Sequence, residues 1–242
     1  MNTNALRSLW KEAFGDSDTF LNLFFSTAFH PDRFMALWEQ EQAVAALYWF
    51  DCQYEGRKIA YIYAVATAKS HRGQGLCRRL MEKTHGLLKR LGYSGSILAP
   101  AEKGLFSLYE KLGYTLCAHI DSLSCQAGTP IPLTRITGSE YARLRRTLLP
   151  AGSLLQEGVT LDYLQKWCGF YQGENCLICA SREADTLYVQ ELLGSRDLAP
   201  GITAALGAKT GHFRMPGNTV PFAMYYPLDN APAPTYLGLA MD

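Results

Sequence analysis

Of the 242 residues, the stretch whose types and spacing most clearly permit chemistry is YAVATAKSHRGQGLCRRL, residues 63–80. A strand-like run leads into Arg72-Gly73-Gln74-Gly75 and then into a helix-like run. Glycines let the backbone turn tightly and approach a ligand closely. The first N–H groups of the following helix have no intrahelical acceptor and stand at the positive end of its dipole. Such a segment is built to hold an anion, and a diphosphate is its natural guest. Two general phosphate motifs fail here. The P-loop needs a lysine followed by Ser or Thr, which this loop lacks. The dinucleotide fingerprint needs a third glycine where Arg78 stands, and parallel neighbours where the preceding strands read as a meander. The plain alternative is a strand-to-helix turn made by two glycines.

The elements that must position this loop can be read from period and punctuation. Leu6, Leu9, Trp10 and Phe14 recur at helical spacing, with Gly15 closing the segment. Asp16 or Ser17 can cap a second helix through residues 19–29, which Pro31 ends. FMALWEQ, AVAALYWFDCQYEG and KIAYIYAVAT are rich in aromatic and β-branched residues and predict a three-stranded antiparallel meander. After the loop, Leu76, Leu80, Thr84, Leu87 and Leu88 form one apolar stripe, and Gly92 stops the helix. SGSILAPA reads as a short buried strand, EKGLFSLYEKLGY as a second helix ending at Gly113, and TLCAHIDSLSC as a strand. QAGTPIPLT is the linker candidate. The order then recurs. SEYARLRRTLLP and LDYLQKWCGFY read as helices, and NCLICASREADTLYVQELLG as a hairpin turning near Glu183–Asp185. A short helix in LAPGITAALGAKTG precedes strands around HFRMP, VPFAMYYPL and TYLGLAMD.

The first half resembles the GNAT superfamily of N-acetyltransferases. Its coenzyme A signature, Arg/Gln-x-x-Gly-x-Gly/Ala, is matched by Arg72-Gly73-Gln74-Gly75-Leu76-Cys77 except at the last position. Its late helix, aromatic/Leu-Tyr-Glu-Lys-x-Gly-Phe/Tyr, is matched by Leu108-Tyr109-Glu110-Lys111-Leu112-Gly113-Tyr114. The resemblance implies an α/β (α+β) fold with a mixed, mostly antiparallel sheet flanked by helices. The recurring order suggests a duplication: residues 1–126 as the acetyl-CoA-binding catalytic domain, and 135–242 as a degenerate GNAT-like copy without the Gly-x-Gly loop.

What the resemblance implies can be placed residue by residue. YAVAT would splay from SILAPA and admit acetyl-CoA, with the backbone of Val65, Ala66 and Thr67 pairing to pantetheine like an added strand. Arg72, Gly73, Gln74, Gly75, Leu76 and Cys77 would hold the pyrophosphate, with Arg78 as a charge partner. Glu102 stands where many relatives carry Asn. The reaction implied is direct attack by a primary amine of a small molecule or peptide on the thioester. Roughly one lysine-like amine in a few thousand is neutral at pH 7, so a proton acceptor is needed. Tyr109 is the candidate acid for the leaving thiolate, although Phe106, Tyr109 and Gly113 share a helix face and Tyr109 could be core. Glu39, Asp51 and Glu55 are available carboxylates, Tyr61 and Tyr63 share one strand face, and the C-terminal carboxylate of Asp242 is a further candidate base. The alternative to an enzyme is a non-catalytic acyl-CoA sensor.

Composition narrows the field. There are 23 Lys+Arg against 22 Asp+Glu, a net +1, which argues against a nucleic-acid or membrane-surface binder. With 48% hydrophobic and 19% charged residues, the chain has material for a core. No apolar run reaches the ~18–20 residues of a membrane helix. With Arg7, Lys11 and Glu12 near the start, a cytoplasmic protein without a signal peptide is expected. The 7 cysteines are scattered and read as reduced. Cys176 and Cys179, three apart on a strand, face opposite ways, so no metal is expected.

Overall fold

The computed structural model describes residues 2–241. Local signals set the first helices. Asn2 accepts from the Ala5 amide to start α1 (Thr3–Phe14), and Gly15 ends it at φ 77°. Ser17 accepts from the Phe20 amide to start α2 (Asp18–Thr27). Leu6, Leu9 and Trp10 are buried as expected, but Phe14 is 47% exposed, with one edge of its ring against Trp10 at 5.8 Å.

The chain divides into two compact units, the first running to Thr115 and taking in Met224–Ala233, the second holding Leu116–Ala223 and the segment from Pro234. The first unit continues with β1 (Phe34–Glu39), β2 (Gln42–Tyr54), β3 (Arg57–Thr67), α3 (Leu76–Arg90), β4 (Gly95–Leu98) and α4 (Lys103–Glu110). β1, β2 and β3 form the antiparallel meander. The α3 crossover then returns the chain so that β4 runs parallel to β3. Met224–Pro227 pair antiparallel with β4. Leu80, Met81 and Leu88 of α3 pack on one face of this sheet with Trp49, Ile62 and Tyr109. Leu6 and Leu9 of α1 pack on Ala43, Ala46, Ala66 and Ala68 in a separate cluster. Each fully buried leucine contributes about 1.5–3 kcal/mol.

The second unit contains β5 (Thr115–Gln126), β6 (Thr134–Ile136), α5 (Gly138–Leu148), β7 (Leu155–Gln156), α6 (Val159–Leu164), β8 (Gly169–Gly173), β9 (Cys176–Glu183), β10 (Thr186–Gly194), α7 (Ala199–Ala205), β11 (Thr210–Pro216) and the first half of β12 (Val220–Pro227). The strands β8, β9 and β10 are antiparallel, β10 and β11 are parallel, and β11 pairs antiparallel with β5. The sequence of two helices, an antiparallel meander, a crossover helix and a parallel strand therefore occurs in both units. Each has the expected mixed, mostly antiparallel sheet flanked by helices.

Two expectations are corrected. The helix anticipated through LDYLQKWCGFY stops at Leu164, and Gly169–Gly173 form β8, because pairing with β6 and β9 outweighs the helical spacing. TYLGLAMD is not a strand: only Tyr236 bridges, to Ser153, while side chains bind other backbone groups of this tail.

Candidate active site

The site is shaped first by a strand irregularity. β2 and β3 pair Tyr48 with Tyr63 and Ala46 with Ala66, so Ala64 and Val65 together oppose Leu47. Ala64 takes φ 50°, a conformation that costs an alanine about 1–2 kcal/mol. Such a bulge increases local twist and re-aims the residues beside it. On its other side β3 pairs with β4 only at Ile59, Ala60 and Tyr61, opposite Gly95, Ser96 and Ile97. Ile62 to Thr67 run on beyond the last pair. The backbone of Val65, Ala66 and Thr67 thus lies on an edge that β4 leaves open. Val65 packs toward α3 and Ala66 toward α1, so only the main chain is presented there.

The loop follows directly. Gly73 and Gly75 have φ of 77° and 76°, and a Cβ at either would meet no atom within 4 Å. Their role is backbone freedom rather than space. Gly75 is the N-cap of α3, and no side chain caps the helix. The amides of Leu76, Cys77 and Arg78 are therefore left for an external acceptor, at the positive end of a 15-residue helix. The preceding turn is tied down from two sides. Glu12 of α1 accepts from the Lys69 amide at 2.6 Å. His71 bonds Glu39 of β1 at 3.1 Å and Ser70 at 2.8 Å. Arg72 donates to the Thr67 carbonyl at 3.4 Å and Gln74 to the Ser70 carbonyl at 3.3 Å. Arg78 is exposed and donates to the Lys111 carbonyl at 2.9 Å, joining α3 to the turn after α4.

Tyr109 lies in the last turn of α4, 7% exposed, within the core cluster below α3. Its ring meets Tyr114 edge-on at 5.8 Å. Burial, with a smaller contribution from the neighbouring Cys77 thiol, pushes the phenol well above its ordinary range and keeps it protonated. No hydrogen bond engages its hydroxyl among the described residues. Burial also raises the Cys77 thiol, against the lowering effect of Arg78. Gly113 turns the chain at φ 91° behind Tyr109, and a Cβ there would lie 2.9 Å from the Tyr226 ring. Glu102 is the N-cap of α4, but its side chain makes no cap hydrogen bond.

The carboxylates on the meander are divided by their partners. Asp51 is held bidentately by Arg33 at 2.9–3.0 Å and also accepts from Tyr93. Glu39 is engaged with His71. Glu55 is exposed in the hairpin turn. Tyr61 and Tyr63 are 6.5 Å apart in an aromatic cluster with Phe50, Tyr48 and Trp10. Asp242 lies outside the described residues. No group of three His, Cys, Asp or Glu suited to a metal occurs among those described. Nor is any of their helices long and apolar enough to cross a membrane.

Residues 2–117 match the family model described as an acetyltransferase (GNAT) domain. The chain carries a GNAT acetyltransferase domain. That domain spans the bulged strand, the loop and the tyrosine helix, and it makes the protein an acyltransferase. The fold over most of the chain is similar to solved structures. A GCN5-related N-acetyltransferase from Kribbella flavida has a TM-score of 0.72 at 20% identity, over 94% of this chain and 69% of its own. One from Anabaena variabilis has a TM-score of 0.70 at 15% identity, over 94% and 71%. No curated protein matches in sequence. In the GNAT domain, the loop and Tyr109 lie on the elements the sequence predicts for them, whereas the bulge and the tethers from Glu12 and Glu39 were not predicted. A left-handed alanine carries no composition signal, and neither carboxylate is near the loop in sequence.

Proposed function

We propose that the first unit transfers an acetyl group from acetyl-CoA to a primary amine of a small molecule or peptide. The observation that carries this reading is the open edge of β3 leading straight into the uncapped start of α3. One element offers unpaired main chain to an amide-bearing arm, and the next offers amides and a dipole to a diphosphate. When bound, acetyl-CoA supplies a thioester-activated acyl group. A backbone N–H at Val65 or Ala66, re-aimed by the bulge, would stabilise the developing oxyanion. As the amine nitrogen forms its bond to the carbonyl carbon and the C–S bond breaks, Tyr109 would give its proton to the leaving sulfur. The phenol enters the reaction protonated, as that role requires, and bound cofactor beside it would have to favour its release of the proton. Asp51 and Glu39 are already paired, and this reading keeps the Asp242 carboxylate, along with Glu55, as a candidate base. The matching element order of the two units supports a duplication in which the second copy no longer holds the cofactor.

The test is an acetyl-CoA assay over an amine panel, following free thiol release. Turnover with at least one amine, reduced in Tyr109→Phe, supports the reading. Tight acetyl-CoA binding with no thiol release across the panel would overturn the assignment of a primary amine as acceptor.

A further inference from the structure

One cavity of the first unit lies away from the open strand edge. It measures about 580 Å³ and is walled by α3 from Arg78 to Lys89, by the turn at Lys111–Gly113 and by Tyr226–Leu228, all within that unit. Its volume suits a small molecule. Gly86, on its wall, stands about 16 Å along the helix axis from Gly75, at the start of α3. Three cations, Arg78, Lys89 and Lys111, share the wall with one carboxylate, Glu82. Arg78 is engaged with the Lys111 carbonyl at 2.9 Å, whereas neither lysine ammonium has a hydrogen-bond or ion-pair partner among the described residues.

Two aromatic rings and a glycine complete the site. His85 and Tyr226 stack at 3.8 Å with 15° between their planes. His85 is 7% exposed. Its Nε2 lies 2.9 Å from the Tyr114 hydroxyl and 3.2 Å from that of Ser96, but Nδ1 has no hydrogen-bond partner among the described residues. A polar atom on a buried ring ordinarily has one. With Nε2 accepting from Tyr114, Nδ1 carries the ring proton and is a donor. Gly86 is an independent sign. Glycine inside a helix is unfavourable relative to alanine. Yet a Cβ at this exposed position would meet only the Arg90 guanidinium, at 3.8 Å. The fold does not forbid a side chain here; a side chain would instead occupy the cavity.

We propose that this cavity is a second anion site, which takes a small aromatic carboxylate or phosphate and is separate from the diphosphate loop. Lys89 and Lys111 attract the anionic end, and Nδ1 of His85 donates to it. The flat body lies over Gly86, where no side chain intervenes, with Met81, Leu112 and Leu228 as apolar contacts. A cleft with an excess of one sign of charge between low-dielectric walls focuses its field on such a guest.

Phenyl phosphate and benzoate are the probes, titrated into the full chain by calorimetry with and without saturating coenzyme A. At least one should bind in both conditions with affinities within about threefold, and phenol, which lacks the charge, at least 10-fold more weakly. Gly86→Leu fills the cavity without removing a charge. It should weaken the probe at least 10-fold while the melting temperature is maintained or raised, since leucine is the better helix former. Its affinity for coenzyme A should stay within twofold of the wild type. Lys89→Ala should weaken the probe about 5-fold, and by less at high salt. The proposal is overturned if neither probe binds at about 10 mM, if coenzyme A displaces the probe, or if Gly86→Leu binds it as the wild type does. Should Gly86→Leu fold poorly, the double variant Lys89→Ala with Lys111→Ala decides, and unchanged affinity in it overturns the proposal equally.

Discussion

The two strand-to-helix crossings, β3 to α3 and β10 to α7, are built to one plan and differ where a ligand would be held. Both strands carry a bulge on the side of the meander, at Ala64–Val65 in one and Gln190 in the other. Both are followed by a 3₁₀ turn, Lys69–His71 and Arg196–Leu198. Then they diverge. α3 begins at a left-handed glycine with its first amides free, whereas α7 is a 7-residue helix with proline in its first turn and so one amide fewer. A buried carboxylate, Glu191, follows the second bulge where the first is followed by Ala66. The first unit inserts α4, with Tyr109, between β4 and β5, while β11 passes to β12 with no helix between. Two crossings can therefore share a strand plan and differ in the amides their helices leave free, because core packing and free helix-start amides depend on different atoms.

The comparison can be broken at several points. The largest effect should come from the element the second unit lacks. Tyr109→Phe removes one hydroxyl from a buried ring and should lower kcat roughly 100-fold or more, with the KM for acetyl-CoA unchanged, in steady-state kinetics. Next, Cys77→Pro copies into α3 the proline of α7, removing one amide at the helix start. The loss of a charge-assisted hydrogen bond, about 1.5–3 kcal/mol, should weaken acetyl-CoA binding roughly 10- to 150-fold by calorimetry, with helicity retained.

A smaller effect belongs to Gly75→Ala. Nothing would clash with the added Cβ, so only the cost of holding alanine at φ 76° remains, about 1–2 kcal/mol in thermal unfolding. If affinity stays unchanged as well, the loop's conformation is not what binds.

The smallest concerns acid. His85 of α3 is buried between Tyr114, Ser96 and the stacked Tyr226 ring, and burial lowers its pKa to about 4. The unfolded chain therefore takes up this proton at higher pH than the folded one. The stability this neutral histidine preserves is complete above about pH 6.5 and falls away as pH drops toward 4. His85→Gln should flatten the decline of the melting temperature across that window; an unchanged slope would show that another group governs it.

How much was legible followed the range of the interactions. Helices with a local cap, such as α1 and α2, or a long apolar stripe, such as α3, were readable because neighbours in sequence decide them. So were the meander, from its aromatic alternation, and the Gly-x-Gly loop. The end of α6, the irregular tail and the bulge at Ala64 were not, since each depends on partners distant in sequence. LDYLQKWCGFY has helical spacing throughout, yet residues 169–173 find two strands to pair with. TYLGLAMD alternates like a strand, but a glutamine side chain takes the hydrogen bonds a neighbouring strand would have made.

By itself, then, the sequence determined the class of fold and the chemistry on offer: glycines that permit a left-handed turn, a helix start with free amides, and a tyrosine on a neighbouring helix. These are properties of residue type and short spacing. Only the tertiary structure decided which groups remain free to act. Arg33 closes on Asp51, His71 on Glu39 and Gln156 on Leu239, while β4 stops short of Val65 and, among the described residues, nothing hydrogen-bonds the Tyr109 hydroxyl. Pairing and burial are made between residues far apart in the chain, and they settle which polar atoms are already satisfied and which still await a partner.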